Sequence, residues 1–369
     1  MREQRLPIPH NFLQLQRLEP ADIERYRAFG HQVAREFVDL IDLEHGQIDW
    51  TFRSTTSTTT VYEGGNSAEP VYLARTEIHA TLEEAIAVFQ TTTVTATRKL
   101  QAKLQPLVLD KIRLYNVTTP TPESSNLYQS LNWCIVNTPF PRFILKRRDF
   151  CYLEHQEVLE IQGRRAYIRA MQSIDVAGVP SLESTFNVVR GDLIHCGFMF
   201  LETDRHGVLE LVSLYDIRLN GSMKGALGSK IIERSVERHI RTLHDVEQVI
   251  RGHYLNHLRF LDPSTMPPLD SQSKCEICLR SFHRSRKAQC RHCAKIVCSR
   301  KCSAVWKVVK SGLEIDVCLC IGCSKQSHRP RLWSNSIFLT ETTTAYLQSM
   351  TSCRDGSSHG RTTSCATRG

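Results

Sequence analysis

The sequence predicts an α+β protein with two folded parts: a body in which one long C-terminal helix grips a curved antiparallel sheet, and a small cysteine-rich module. Three observations lead to this expectation. Short β-rich runs separated by turns fill residues 131–217, a single helical stripe follows Gly221, and nine of the 14 cysteines lie between Cys275 and Cys323. We expect the body to span residues 1–260, a Pro-containing linker 261–274, the module 275–328 and a mostly disordered Ser/Thr-rich tail 329–369.

The composition of the 369-residue chain is that of a globular protein, with 41% hydrophobic and 23% charged residues. The sequence contains no run of about 18 apolar residues, so we expect no transmembrane helix. Its first ten residues lack an apolar segment, so we expect no secretory signal. Crowded cysteines in a cytoplasmic protein are typical of metal ligands rather than disulfides.

The body is expected to begin with a helix and a strand. Apolar residues at helical spacing follow the start signal at residues 20–22: Ile23, Tyr26, Phe29, Val33, Phe37 and Leu40. The Ser/Thr run at residues 54–60 is either a loop or a strand, and residues 71–79 are predicted to be a strand. Thr81 and Glu84 then form a capping box that opens a second helix.

A many-stranded sheet is expected next, with strands at residues 131–136, 149–160, 165–174, 186–189, 194–202 and 209–217. The predicted closing helix has about 25 residues, with its apolar stripe at Ile232, Val236, Ile240, Leu243, Val246 and Ile250. This stripe could simply be the packed face of the helix, or helix and sheet could enclose a cavity for an apolar ligand. Both interpretations are open on the sequence alone.

Three segments of the body carry a family resemblance. Residues 146–152 (KRRDFCY), 164–167 (RRAY) and 190–192 (RGD) resemble START-like lipid-binding domains, and the similarity extends over residues 10–255. The resemblance implies a helix-grip fold with a hydrophobic tunnel for one sterol, phospholipid or other lipid. Nothing in the sequence identifies that lipid.

The cysteines of the module form four pairs: Cys275 and Cys278, Cys290 and Cys293, Cys298 and Cys302, and Cys320 and Cys323. Two thiolates in one tight turn can ligate the same ion, so four pairs predict two Zn²⁺ ions with four sulfurs each. Cys318 competes with Cys320 for the seventh position, and the two-residue spacing to Cys323 favours Cys320. The module has little apolar content, so the metal should supply much of its folding free energy.

The order of the pairs resembles a FYVE-type zinc finger. Residues 286–294 (RKAQCRHCA) match the basic signature of that family at Arg286, Lys287, Arg291 and the two cysteines, but Ala288 and Gln289 replace its histidines and Ala294 its glycine. The resemblance implies cross-brace metal binding, in which the first and third pairs share one ion and the second and fourth the other. It also implies phosphatidylinositol 3-phosphate as the ligand, with Arg286, Lys287 and Arg291 as anion-binding residues.

The charge of the module agrees with an anionic partner. Residues 271–328 contain 12 Lys or Arg but only three Asp or Glu, a difference equal to the net charge of +9. Residues 283–285, at the place of the family's membrane-inserting loop, have no apolar tip. Specific phosphoinositide recognition, general attraction to anionic membranes, and a protein-docking or purely structural finger are all open.

Neither catalysis nor nucleic-acid binding is expected. The chain has no G-x-S-x-G, H-E-x-x-H or P-loop motif and no base-reading helix. Arg147 and Asp149 could form an ion pair, either at the exposed end of a strand or in a pocket. We predict a non-enzymatic, cytoplasmic lipid- and zinc-binding protein, peripherally attached to endosomal membranes through its finger. The alternative is an adaptor with an occluded body and a protein-binding finger.

Overall fold

The computed structural model describes residues 6–8, 12–56, 58–66, 69–105, 107–121, 126–138, 140–141, 145–221, 226–282 and 286–325. The tail that we predict at residues 329–369 and the loop at residues 283–285 lie outside these ranges. No described helix is both long enough and apolar enough to cross a membrane.

A ten-stranded sheet forms the frame of the body. Its strands β1 to β10 are Thr51–Thr56, Thr59–Asn66, Glu69–Ile78, Val108–Thr118, Leu127–Val136, Arg147–Ile161, Arg164–Ser173, Val188–Arg190, Asp192–Glu202 and Leu209–Arg218. Neighbours pair antiparallel in the order β1-β2-β3-β10-β9-β7-β6-β5-β4, and the short β8 pairs in parallel with β6. The predicted α+β class with a large antiparallel sheet is confirmed.

The described helices α1 to α6 are Pro20–Leu40, Leu82–Phe89, Val94–Leu104, Glu183–Phe186, Ala226–His257 and Ile321–Lys325. The capping box of α2 is present, since Thr81 Oγ1 accepts from the amide of Glu84 and Glu84 Oε2 accepts from that of Thr81. The strand predicted at residues 186–189 begins only at Val188, because Phe186 ends the helical turn of α4. Of the Ser/Thr run at residues 54–60, residues 54–56 end β1 and residues 59–60 begin β2, while Ser57 lies outside the described residues.

After a register shift in its pairing with β10 near Leu193, the strand β9 alternates its residues between the two sides of the sheet. Phe198 and Phe200 face the side covered by α2 and α5, where both rings contact Phe89. Met199 faces the opposite side and packs with the buried face of α1. The strand β9 thus contributes to the core under α5 on one side and to the core under α1 on the other.

The long helix α5 covers one side of the sheet through the predicted stripe, all six residues of which are buried. It has 32 residues rather than about 25. Its C-terminal extension has a separate packing partner, because Leu255 lies in the core of the cysteine-rich module and not in that of the body.

The helix α1 approaches the other side of the sheet closely at Gly30. A Cβ atom there would lie 2.4 Å from Nε2 of Gln129. That amide cannot easily move, because it donates to the carbonyl of Arg27 at 3.1 Å and to Nδ1 of His155 at 3.0 Å. Glycine at this position thus permits a buried polar contact between helix and sheet.

We expect Gly30→Ala to lower the free energy of unfolding by about 1–3 kcal/mol, the usual cost of overpacking a fixed site. Gly252→Ala is the matched control, because its added Cβ meets no heavy atom within 4 Å. That variant should gain up to about 1 kcal/mol from helix propensity. Urea unfolding followed by circular dichroism measures both, and equal effects of the two substitutions would contradict the close approach at Gly30.

Candidate functional site

Two short hairpins build the cysteine-rich module. The strand β11 (Lys287–Gln289) pairs with β12 (Ile296–Cys298), and β13 (Ser303–Lys310) pairs with β14 (Leu313–Cys320). The helix α6 follows β14 directly. Each hairpin places one cysteine of a pair at a strand end, which brings pairs that are distant in sequence together.

The eight predicted ligands lie in two groups, one of Cys275, Cys278, Cys298 and Cys302 and the other of Cys290, Cys293, Cys320 and Cys323. Within each group the Sγ atoms all lie within 4.8 Å of one another. The first pair thus meets the third and the second meets the fourth, as in a cross-brace. Cys318 is half-exposed and lies outside both groups.

The spacing of the sulfur atoms fits tetrahedral Zn²⁺. Four sulfurs at about 2.3 Å from a central ion lie about 3.8 Å from one another. The Sγ atoms of Cys278 and Cys298 are 3.8 Å apart, as are those of Cys293 and Cys320. The described cysteines form no disulfide. A closed set of four thiolates leaves no open position for a substrate, so these groups suit a structural metal.

The turns that present the first two pairs have the same backbone conformation. Leu279 and Ala294 each follow the second cysteine of a pair, and their φ angles are 58° and 61°. Their amides donate to the carbonyls of Cys275 and Cys290 at 2.8 and 2.9 Å. This left-handed conformation favours glycine, so both turns carry a backbone strain that the closed site must offset.

The predicted anion-binding residues are only partly free. Arg286 is exposed. Lys287 Nζ donates to the carbonyl of Leu269 at 3.0 Å, and Arg291 Nε donates to that of Leu261 at 3.1 Å. Two of the three cations therefore hold the segment that precedes the finger, and their role toward an external anion stays a prediction.

The end of α5 is part of the core of the module. Leu255 is fully buried with four module residues: Val297, Val308, Val317 and Leu319. Lys310 Nζ donates to the carbonyls of Asn256 and Leu258 at 2.6 and 2.8 Å, which satisfies acceptors that the helix end leaves open. The Asn256 side chain accepts from the amide of Val309 at 2.8 Å. The module is thus packed directly onto the helix that closes the body.

A cavity of about 240 Å³ lies between the sheet and the N-terminal half of α5. Its wall is mainly apolar and includes Phe150, Met171, Leu193, Phe198, Leu214 and Ile231. This volume is about eight times the volume that one molecule occupies in liquid water. The sequence left open whether the stripe of α5 is simply a packed face or borders a cavity. In the structure the stripe is packed against the sheet, and the cavity lies beside it.

A buried charged cluster borders this cavity. Glu154 Oε2 lies 2.7 Å from Nη2 of Arg169 and 3.3 Å from Nζ of Lys111, and all three side chains are at least 95% buried. Burial alone would raise the pKa of Glu154, but the two cations hold it well below its usual range. Burial likewise lowers the pKa of Lys111. Two cations share one carboxylate. Among the residues that the structure describes, the buried Nε of Arg169 has no hydrogen-bond partner.

The sequence did not point to this cluster. A charged residue in the middle of an apolar run is a usable signal, and Arg169 stands in such a run, whereas Glu154 is followed directly by three polar residues. The pair considered from the sequence, Arg147 with Asp149, is not the one formed. Asp149 instead lies 2.8 Å from Arg190 and accepts from the indole N–H of Trp133.

A third group of potential ligands, His31, His155 and Glu157, is better explained as a hydrogen-bond network. His155 Nδ1 accepts from Gln129, so its proton lies on Nε2, which faces Glu157 Oε2 at 3.0 Å. A protonated ring nitrogen cannot ligate a metal. Burial also lowers the pKa of His155, which keeps the ring neutral.

No protein-family model matches this chain, and no curated protein matches it. Among solved structures, human StAR-related lipid transfer protein 5 is similar over 63% of this chain and 99% of its own, with 13% identity and a TM-score of 0.48. A fragment of the STAR-related lipid transfer protein of Xanthomonas axonopodis is similar over 55% and 98%, with 14% identity and a TM-score of 0.37. At these sequence identities and TM-scores, the similarity supports no conclusion about function.

Proposed function

We propose that the body binds one apolar lipid between its sheet and α5, without catalysis, and that the two cysteine groups bind structural Zn²⁺. The cavity is the observation that supports this function. It is lined by residues of six strands and of the helices α3 and α5, and its wall is mainly apolar. Transfer of a hydrocarbon from water to such a site contributes about 0.8 kcal/mol for each buried CH₂ group.

The charged cluster would receive the polar end of the lipid. Arg169 and Lys111 both line the cavity, and Arg169 Nε is a buried donor without a partner in the described part of the chain. An unsatisfied buried donor costs about 1–3 kcal/mol, which an acceptor oxygen on the ligand would recover. The lipid would therefore enter with its hydrocarbon along the apolar wall and its oxygen toward β7.

Native mass spectrometry of the full chain tests this function, because it counts lipid and metal together. We expect about one lipid and two zinc ions per chain. Ser235→Trp, on the cavity wall, should remove the lipid and keep both ions, whereas Glu237→Trp, on the exposed face of the same helix, should keep all three. Protein with two zinc ions and no lipid, even after exposure to lipid vesicles, would contradict the proposal.

The finger would dock the body to the cytoplasmic face of an anionic membrane, in the manner of a FYVE-type module. Its net positive charge supports this part of the proposal, and Arg286 is the exposed cation of the basic signature. Flotation with vesicles that contain phosphatidylinositol 3-phosphate should weaken about tenfold in Arg286→Ala, the effect of one lost charge-assisted hydrogen bond. Lys301→Ala, another exposed cation of the finger, is the control.

Vesicles with phosphatidylserine at the same net charge separate the two kinds of membrane binding. A preference for the phosphoinositide supports specific recognition, and equal flotation on both supports general electrostatic attraction. The adaptor alternative is favoured by one observation, the use of Lys287 and Arg291 to hold backbone carbonyls of the chain itself. Flotation on neither vesicle would reject membrane docking and leave the adaptor.

A further inference from the structure

His239 lies on the face of α5 that lines the cavity and is not part of the charged cluster. Its Nε2 is 2.9 Å from Oγ of Ser213, a buried residue of β10. The imidazole ring also lies against Tyr215, with 5.5 Å between the ring centres. A contact at one ring nitrogen and an aromatic neighbour together fix the orientation of the ring.

The hydrogen bonds of Ser213 determine which nitrogen of His239 carries the proton. The Ser213 hydroxyl is 3.2 Å from the carbonyl of Gly197, and a carbonyl can only accept, so the single hydroxyl hydrogen points there. Ser213 Oγ then accepts from His239 Nε2–H. A neutral imidazole has only one N–H group, so Nδ1 presents a lone pair.

The lone pair of Nδ1 is available to a ligand. In the part of the chain that the structure describes, the His239 side chain makes its hydrogen bond only with Ser213. Burial lowers the pKa of His239 from 6.5 to about 4, so the ring stays neutral at physiological pH. The cations Arg238, Lys111 and Arg169 also line the cavity.

We propose that Nδ1 of His239 accepts a hydrogen bond from the cavity ligand, so that the cavity selects lipids with a hydroxyl or amide N–H group over equally apolar lipids without one. This inference rests on the proposed lipid-binding function. It adds an acceptor on the helix side of the cavity to the donors that Arg169 and Lys111 provide on the sheet side. A hydroxyl group, which donates and accepts, is the smallest ligand group that could use both kinds of partner.

Two isomers of equal size, chosen to suit a cavity of about 240 Å³, test the inference: nonan-1-ol, which has a hydrogen-bond donor, and methyl octyl ether, which has none. Delipidated, zinc-loaded full-length protein is titrated with each, and the complex is counted by native mass spectrometry. The wild type should bind the alcohol about tenfold more tightly, because the ether would leave a buried acceptor unsatisfied. His239→Phe keeps a planar ring without an acceptor and should lose this preference, with unchanged binding of the ether. His239→Gln restores a carbonyl acceptor and should recover part of the preference.

The outcomes separate this inference from the proposed function. Binding of neither probe to the wild type would overturn both. Equal binding of the two probes to the wild type would overturn the role of His239 and leave the lipid cavity standing. A preference that persists in His239→Phe would assign the acceptor to another residue and also refute the inference. Zinc content and circular dichroism report whether each variant folds. If His239→Phe does not fold, the comparison of the two probes on the wild type still decides whether the inference holds.

Discussion

Cys320→Ser should remove one of the two zinc ions, whereas Cys318→Ser should leave both in place. The two cysteines are two residues apart on β14, but only Cys320 lies in a group of four sulfurs. A serine oxygen is a poor replacement for a thiolate toward Zn²⁺. Structural zinc contributes about 10–16 kcal/mol to the folding of small finger domains. Loss of one ligand should therefore unfold the two turns that share this ion, at Cys290–Cys293 and Cys320–Cys323.

Metal analysis and thermal unfolding measure this contrast directly. The expected zinc content is about one ion per chain in Cys320→Ser and two in Cys318→Ser. Since the two hairpins share one core, the remaining ion should also become easier to remove with a chelator. Retention of both ions in Cys320→Ser, or loss of one in Cys318→Ser, would show that the seventh ligand has been assigned to the wrong cysteine.

Glu154→Gln should lower the free energy of unfolding by about 3–5 kcal/mol, because it leaves Lys111 and Arg169 buried without a counterion. The amide keeps the size of the side chain, so packing changes little. Glu77→Gln is the control, since the Glu77–Arg205 pair is exposed and should contribute less than about 1 kcal/mol. Chemical unfolding of both variants against the wild type measures the difference, and similar effects would contradict the buried cluster.

The same cluster gives the wild type a dependence on pH. The pKa of Glu154 is lowered in the folded protein, so its carboxylate stabilises the fold above pH 4.5, the ordinary Glu value. Below that pH the unfolded chain takes up the proton first and the stabilisation decreases. The acid limb of the stability curve should therefore be less steep in Glu154→Gln.

The features that could be predicted from the sequence are those that depend on residues close together in the chain. The cysteine pairs, the capping box at Thr81 and Glu84, and the stripe of α5 each depend on residues within one turn or one helix face. The FYVE-type identity of the finger and the anion-binding role of its signature residues stay predictions. Cations of the right type are visible in a sequence, but the carbonyls that engage Lys287 and Arg291 lie 18 and 30 residues earlier.

A cavity between helix and sheet was one of the two interpretations open on the sequence, but the charged cluster beside it depends on register and could not be predicted. Glu154, Arg169 and Lys111 come from three strands, and only the pairing of those strands brings them together. The strand that supplies Lys111, β4, was not predicted at all. Its pairing with β5 shifts register at three places, which interrupts the period-two alternation by which a strand is recognised.

The burial of Leu255 inside the finger has a consequence for dissecting the chain into fragments. A fragment cut after residue 260 would retain the final turn of α5 but lose Val308, Val317 and Leu319, which cover it. A fragment that starts at residue 261 would contain every paired cysteine yet lack the side chain around which the hairpins close. Neither piece would be a self-sufficient domain, and a workable division has to keep the last helical turn with the finger.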